Sequence, residues 1–194
     1  MSGAAFDLDL VIVVALVLLV AWYLTFSAAR LDRLHARLEG AWSALDAQLV
    51  RRSSVALQLA ASGRLDPATA LLLADAAHEA REVDEEGREQ AESDLTAALR
   101  AAFADAELVD DLRRDPVGGE LVAELAASAL RVQLARRFLN DVVRNARVVR
   151  RKRVVRYLRI AGHAPWPQTF EMSDTPPEAL AGGSFTRDAY RRPT

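Results

Sequence analysis

One uninterrupted apolar run near the N-terminus constrains this chain more than any other feature. Residues 10–26 read LVIVVALVLLVAWYLTF and contain no charged side chain. With Leu8 and residues 27–29, the stretch reaches the roughly 20 residues that a helix needs to cross the hydrocarbon core of a bilayer. The sequence therefore predicts one transmembrane helix within residues 1–29, anchored by Leu10, Val20, Trp22, Tyr23 and Phe26.

Charged residues on the two sides of this run predict its orientation. Asp7 and Asp9 precede it, whereas Arg30, Arg33 and Arg37 follow it. Because segments rich in arginine stay on the cytoplasmic side, we expect the N-terminus outside and the rest of the chain in the cytoplasm. A cleaved signal peptide is the alternative, since residues 27 and 29 are small. The apolar run nevertheless exceeds the usual ~7–15 residues of such peptides and lacks a basic start.

The rest of the chain has the spacing of α-helices. Apolar residues recur at intervals of three and four after Leu31, and no strand-like alternation of useful length appears. Gly63 predicts the end of the first helix, and Asp66 with Pro67 predicts the start of the next. Residues 67–108 form either one long helix or two that meet near residues 84–87.

Two further breaks complete the predicted organisation. Asp115, Pro116, Gly118 and Gly119 predict a turn before a last helix over residues 120–161. Residues 173–194 are rich in Pro, Gly, Ser and Thr, which predicts a disordered tail. We therefore expect an all-α fold, with the transmembrane helix continuous with an elongated antiparallel three- or four-helix bundle over residues 30–172.

Charge is distributed unevenly along the bundle. Residues 66–111 are strongly acidic, whereas residues 131–159 are strongly basic and contain Asp141 as their one acid. Opposite charges on neighbouring helices favour an antiparallel register. A basic cluster in the last helix occupies every side of it, so part of the cluster must face something else: Arg147, Arg150, Arg151, Lys152, Arg153 and Arg156.

Several partners suit this basic cluster. Anionic lipid of the inner leaflet is a natural partner for a tethered basic helix, and an unidentified protein is another. A homo-oligomer of the chain is a separate alternative that is not tied to this cluster. Nucleic acid is the less favoured alternative, because no aromatic residues interleave for base stacking and no recognition fold is visible.

Enzymatic chemistry lacks support in the sequence. The chain has no cysteine, its histidines at 35, 78 and 163 are isolated, and it lacks the common hydrolase, zincin, P-loop and dinucleotide-binding motifs. Four glutamates at 79, 82, 86 and 89 share a helical face without a histidine partner, which favours a solvated surface over a metal site. We expect no catalytic residue, metal or cofactor.

The segment LEGAWSALDAQLVRR (residues 38–52) follows the predicted anchor and contains Trp42, Asp46 and Arg52. With these residues in matching places, it resembles the signature that follows the anchor in the LemA family of bacterial membrane proteins. ARRFLNDVVRN (135–145) resembles a later family helix, with Phe138 and Asn140 matching. Residues 162–171 resemble the closing segment, keeping two prolines at 165 and 167 and the Phe-Glu pair at 170 and 171.

The resemblance carries expectations about packing. Trp42 should pack on an apolar ridge, with Asp46 and Arg52 beside it as a polar clamp. Phe138 and Asn140 are expected to pack in the bundle as well. The chain departs from the family after Arg52 and near residues 146–154, where a second Tyr-Asn pair and a Phe-Pro pair are replaced, so it resembles a divergent member.

The resemblance also implies a function. It implies a bacterial membrane protein that crosses the membrane once, with no known catalytic activity and a cytoplasmic helical bundle. We therefore expect a non-enzymatic scaffold or interaction protein. The alternative from another class is a membrane-tethered nucleic-acid-binding protein that uses the basic helix.

Overall fold

The structure is a computed structural model, and it describes residues 2–150 and 166–181; side chains are described in these ranges except at residues 2–9, 11, 24, 27–31, 149, 150 and 181. The described helices are α1 (Ser2–Ala61), α2 (Pro67–Glu82), α3 (Arg88–Ala102), α4 (Ala106–Arg114), α5 (Pro116–Arg150) and α6 (Glu178–Ala181). Every regular element in these ranges is a helix, so the predicted all-α class is confirmed there.

The boundary between α1 and α2 follows the predicted cap. Gly63 has a φ of 68°, a left-handed conformation that glycine adopts without steric cost. Oδ1 of Asp66 accepts hydrogen bonds from the backbone N–H groups of Ala68 and Thr69, each at 3.1 Å. Hydrogen bonds from Thr69 lower the pKa of Asp66. The predicted start of a helix at Pro67 is confirmed.

Residues 67–108 are divided twice rather than once. The first break, between Glu82 and Arg88, matches the alternative in which two helices meet near residues 84–87. The second break, between Ala102 and Ala106, was not predicted. Phe103 at this break is buried, and Asp105 caps α4 by accepting a hydrogen bond from the N–H of Glu107 at 2.9 Å. Because the buried Phe103 continues the helical spacing of apolar residues, the sequence pattern does not indicate this break.

The break predicted at residues 115–119 is confirmed but is shorter than predicted, because α4 ends at Arg114 and α5 already begins at Pro116 rather than at residue 120. Asp115 accepts a hydrogen bond from the N–H of Gly118 at 2.6 Å, and its carboxylate is paired with Arg64. The Arg64 hydrogen bond holds the pKa of Asp115 below its ordinary value. Proline suits the first helical position and aspartate suits the cap, so the segment starts a helix.

The chain divides into two compact units. Unit 1 comprises Met1–Gly40 and Asp141–Thr169, and unit 2 comprises Ala41–Asn140 and Phe170–Thr194. The predicted divisions at residues 29 and 172 stay a prediction. The core that the structure describes lies in unit 2.

Ion pairs along α1 fix the direction of α3 in unit 2. Asp46 pairs with Arg88, and Arg52 pairs with Glu92 further along both helices. The residue numbers rise together, so α1 and α3 run parallel. Short connections at residues 62–66 and 83–87 place α2 antiparallel to both.

A second set of ion pairs fixes the direction of α5. Arg51 Nε lies 3.0 Å from Glu124 Oε1, whereas Arg64 pairs with Asp115, closer to the start of α5. The numbers run in opposite senses, so α1 and α5 are antiparallel. The described part of unit 2 is therefore an antiparallel bundle of four longer helical segments with the short α4 added, in agreement with the predicted bundle.

The core of unit 2 consists mainly of leucine, alanine and valine. Full burial of a leucine or valine side chain is worth about 1.5–3 kcal/mol, so these contacts supply the main stabilisation. Leu180, in the short α6, joins the same core. The buried members with the least exposure include Leu59, Leu73, Leu95, Val109 and Leu125.

Candidate functional site

Residues from three distant parts of the sequence meet in unit 2. The rings of Trp42 and Phe170 lie 5.6 Å apart between centroids, at an angle of 89°. Asn140 Nδ2 donates to the carbonyl of Phe170 at 3.1 Å, and the N–H of Phe170 donates to Asn140 Oδ1 at 2.9 Å. Asn140 thus satisfies both backbone groups of a residue that is 3% exposed. One member of each resembling segment takes part in this arrangement.

Phe170 begins a segment that we call the C-terminal strap, from Phe170 to Leu180. Its next backbone groups are held by α3: the N–H of Glu171 donates to Glu89 Oε1 at 2.7 Å, and the N–H of Ser173 donates to Ser93 Oγ at 3.1 Å. Side chains thereby take the role that a neighbouring strand or helix would otherwise have for these N–H groups.

The strap is also held by α5. Gln133 Nε2 donates to the carbonyl of Asp174 at 2.7 Å, and Arg136 Nε lies 2.9 Å from Asp174 Oδ2. Pro177 and Leu180 are buried further along. The prediction of a disordered tail from residue 173 was therefore wrong for the described residues 173–181; residues 182–194 lie outside the described part.

Polar contacts with α3 and α5 explain why the described part of the strap is ordered. The prediction of disorder rested on the fact that a segment poor in large apolar residues cannot build its own core. It can still be ordered when polar side chains of a preformed surface bind its backbone. Glu89, Ser93, Gln133 and Arg136 do so here.

A buried charge cluster lies between α1 and α3. Arg52 and Glu92 are 2% and 1% exposed, and Arg52 Nη2 lies 2.5 Å from Glu92 Oε2. The guanidinium also donates to Thr96 Oγ1 at 3.0 Å and to the carbonyl of Glu92 at 3.1 Å. Burial raises the pKa of Glu92, although Arg52 opposes this effect. Arg52 Nε is buried and has no hydrogen-bond partner among the described residues.

The polar clamp expected between Asp46 and Arg52 does not form, because each residue pairs with α3 instead. Asp46 pairs with Arg88, whose Nε is likewise buried without a partner in the described ranges. Six residues separate Asp46 from Arg52, which at 3.6 residues per turn places the side chains on different faces of α1. Each therefore pairs with α3, and neither pairs with the other.

The remaining family-motif residues take different positions. Trp42 is half-buried and Asn140 is buried. Phe138, which was expected to pack in the bundle, is 57% exposed. The inward positions of α5 are taken by its neighbours Leu139 and Asn140, which leaves Phe138 on the outer face.

The expected anchor residues lie in α1 and are exposed. Leu10, Val20, Trp22, Tyr23 and Phe26 have exposed fractions of 45–69%. Within the described residues, no helix has the length and hydropathy that a membrane crossing requires. The predicted span also includes positions 8, 9, 11, 24 and 27–29, whose side chains lie outside the described part.

Most of the predicted basic cluster lies outside the description as well. Arg147 is half-buried, and its Nε donates to the carbonyl of Pro167 at 2.8 Å within unit 1. The side chain of Arg150 and all of residues 151–156 are outside the described part. The proposed contact of this cluster with lipid or protein stays a prediction.

No group of three or more His, Cys, Asp or Glu residues that could hold a metal occurs among the described residues. Sequence reasoning missed Glu92, Thr96 and Arg88. Glu92 is one of many acids in its segment, and no local signal separated a buried acid from the solvated ones.

Scans against protein-family models, curated proteins and solved structures each found no match to this chain.

Proposed function

We propose that this chain is a membrane-anchored, non-enzymatic scaffold of the LemA type, which presents a cytoplasmic helical bundle as an interaction module. The observation that carries the proposal is the row of large apolar side chains exposed along the N-terminal part of α1. A scaffold needs an attachment and a stable surface.

Support for the attachment comes from exposure and charge. Water-exposed apolar patches larger than a few hundred Å² are rare on soluble monomers and mark contacts with a protein or a membrane. The two acids before the run and the arginines after it favour an external N-terminus. The exposed residues are Leu10, Ile12, Val13, Val14, Leu16, Val17, Leu18, Leu19, Val20, Trp22, Tyr23 and Phe26.

Support for the scaffold role comes from how unit 2 uses its polar residues. The buried pair of Arg52 and Glu92 joins two helices, and Asn140 holds the C-terminal strap. These groups are engaged in holding the bundle together. The meeting of Trp42, Asn140 and Phe170 supports the resemblance to the LemA family, because it joins the three resembling segments.

The attachment is tested by extraction of membranes from cells that produce the full chain. Alkaline carbonate should leave the chain in the membrane pellet, and protease added outside the cell should leave the bundle intact. Replacing Val14 and Leu18 together by arginine should move the chain to the supernatant, since each arginine costs roughly 2.5–3.5 kcal/mol at the centre of an inserted helix.

A matched control comes from the bundle. Val117 is 49% exposed, as Val14 is, but it lies in α5. Val117→Arg should leave the chain in the pellet. Release of the unaltered chain by carbonate, or equal retention of the Val14→Arg, Leu18→Arg double variant, would contradict the proposed anchor.

A further inference from the structure

The outer face of α5 carries an apolar stripe edged by arginine. Leu130, Leu134 and Phe138 are 45%, 55% and 57% exposed, and their spacing of four residues makes them neighbours on one side of the helix. Arg137 is exposed beside the stripe, and no described residue forms an ion pair with it. Arg131, in contrast, is already held 2.8 Å from Glu124. We call Leu130, Leu134, Phe138 and Arg137 the α5 patch.

The outer face of α2 carries the opposite charge. Leu71 and Leu72 are 63% and 48% exposed near its N-terminus. Asp75 and Glu79 are exposed one and two turns later, and neither has an ion-pair partner among the described residues. We call these four residues the α2 patch. Both patches lie in unit 2.

The two patches match in chemistry and in spacing. Leu72 and Glu79 are separated by seven residues, as are Leu130 and Arg137. Seven residues span about two turns, or roughly 10.5 Å. When α2 lies parallel to α5, Leu72 meets Leu130 and Glu79 meets Arg137. In the antiparallel alignment that places Leu72 at Phe138, Glu79 would face Arg131, whose charge Glu124 already neutralises.

We propose that the α5 patch binds the α2 patch of a second copy of this chain. The contact joins two different surfaces, so it is head-to-tail and leaves one patch of each kind open for further copies. This inference rests on the proposed function, since copies anchored in one membrane meet at a raised effective concentration. Burial of the leucines supplies the attraction, and the charges set the register.

The absence of cysteine from the natural sequence permits a direct test of register. Full chains that carry Leu72→Cys are produced together with full chains that carry Leu130→Cys, and membranes are oxidised mildly. A disulfide requires Cα atoms about 4.4–6.8 Å apart, so the pair of variants should form a mixed dimer. Leu72→Cys combined with Phe138→Cys is the matched control, because Phe138 lies about 12 Å further along α5. That combination should give little product.

Charge reversal provides a second test with its own rescue. Arg137→Glu alone, or Glu79→Arg alone, should lower the cross-linked product between the cysteine variants roughly tenfold, since like charges then face each other. Chains with Arg137→Glu mixed with chains with Glu79→Arg should recover the product, because each patch again meets its opposite. Both substitutions lie at exposed positions. A folding defect would appear as loss of the helical circular dichroism signal, and rescue of the cross-link by mixing the two variants excludes such a defect.

The outcomes separate this inference from the proposed function. Absence of the link between positions 72 and 130, an equal link between 72 and 138, dominant links between two copies of position 130, or failure of the rescue would each overturn the head-to-tail contact. If carbonate leaves the chain in the pellet at the same time, the anchor stands and this inference alone fails. If carbonate extracts the chain, the disulfide between positions 72 and 130 is measured on the extracted chain, where it still tests the head-to-tail contact.

Discussion

Arg52 and Glu92 form a buried ion pair that joins α1 to α3, with Nη2 of the arginine 2.5 Å from Oε2 of the glutamate. Removing two charges from water is costly, and the mutual attraction and the added hydrogen bond to Thr96 offset that cost. Such a pair adds little to net stability relative to an apolar pair of the same shape. Loss of one partner is a different matter, because the other charge then stays buried without compensation.

This asymmetry predicts the effect of Arg52→Met. The variant leaves the carboxylate of Glu92 in the core, and we expect the free energy of unfolding to fall by about 3–5 kcal/mol. Thermal or chemical unfolding of the full chain in detergent, followed by circular dichroism, measures the change. Arg51→Met is the matched control, since Arg51 is 58% exposed and pairs with Glu124 at the surface.

Surface ion pairs contribute about 0–1 kcal/mol, so Arg51→Met should change stability little. Similar losses in the two variants would mean that burial of the Arg52 charge has no energetic consequence. That result would contradict the buried pair between α1 and α3.

The raised pKa of Glu92 predicts a dependence of stability on pH. Its ordinary pKa is 4.5, and burial raises the pKa in the folded chain. At a pH between the ordinary pKa and the raised pKa, Glu92 is more protonated in the folded chain than in the unfolded chain. The contribution of Glu92 to stability therefore falls as the pH rises above 4.5. The difference in unfolding free energy between the natural chain and Glu92→Gln should therefore decline over this range.

Other acids do not disturb this comparison. The pKa values of Asp66, Asp115 and Glu124 are lowered, by hydrogen bonds from Thr69, Arg64 and Arg51 respectively. Their contributions to stability increase as the pH rises towards the ordinary values, and they are the same in both proteins. A difference that grows above pH 4.5 would show that the attraction of Arg52 outweighs the effect of burial on Glu92.

The helical organisation could be predicted because its signals are local. Asp66 and Pro67 predict the start of α2, because helix capping depends only on neighbouring residues. Gly118 and Gly119 gave the opposite result: glycines usually mark a turn, but here they lie in the first turn of α5. The cap before them places them inside a helix, because Asp115 accepts a hydrogen bond from the N–H of Gly118 and Pro116 suits the first helical position.

The buried charges and the ordered strap could not be predicted for a related reason. Glu92 becomes a buried partner of Arg52 through packing of α1 on α3, across 40 residues of sequence. The order of the strap depends on side chains such as Gln133 and Ser93, far away in the chain. The Trp42 and Asn140 motifs came from family resemblance, and only the folded arrangement relates them to Phe170.

The two hydrogen bonds between Asn140 and Phe170 predict local control of the strap. Asn140→Ala removes both partners, and an unsatisfied buried polar group costs about 1–3 kcal/mol. Hydrogen exchange at the amide of Phe170 should become roughly 5- to 150-fold faster, while the amides of α3 change little. Mass spectrometry of peptides from the strap measures the effect.

The control for the strap is Asn145→Ala, a change of the same residue type at an exposed position of α5. It should leave exchange at Phe170 unchanged. Equal exchange in the Asn140→Ala variant and the natural chain would show that the other contacts of the strap hold Phe170 without Asn140.

The start of α5 lies close to the end of α4 at Gly118. A Cβ atom on Gly118 would lie 2.8 Å from the carbonyl oxygen of Leu112, which is backbone and cannot move aside cheaply. Gly118→Ala should therefore lower the free energy of unfolding by about 1–3 kcal/mol. Gly40→Ala should instead raise it by up to about 1 kcal/mol, because a Cβ there meets no atom within 4 Å and alanine favours the helix. Shifts of the unfolding midpoint in the same direction for both variants would contradict the tight junction, since helix propensity alone would then explain them.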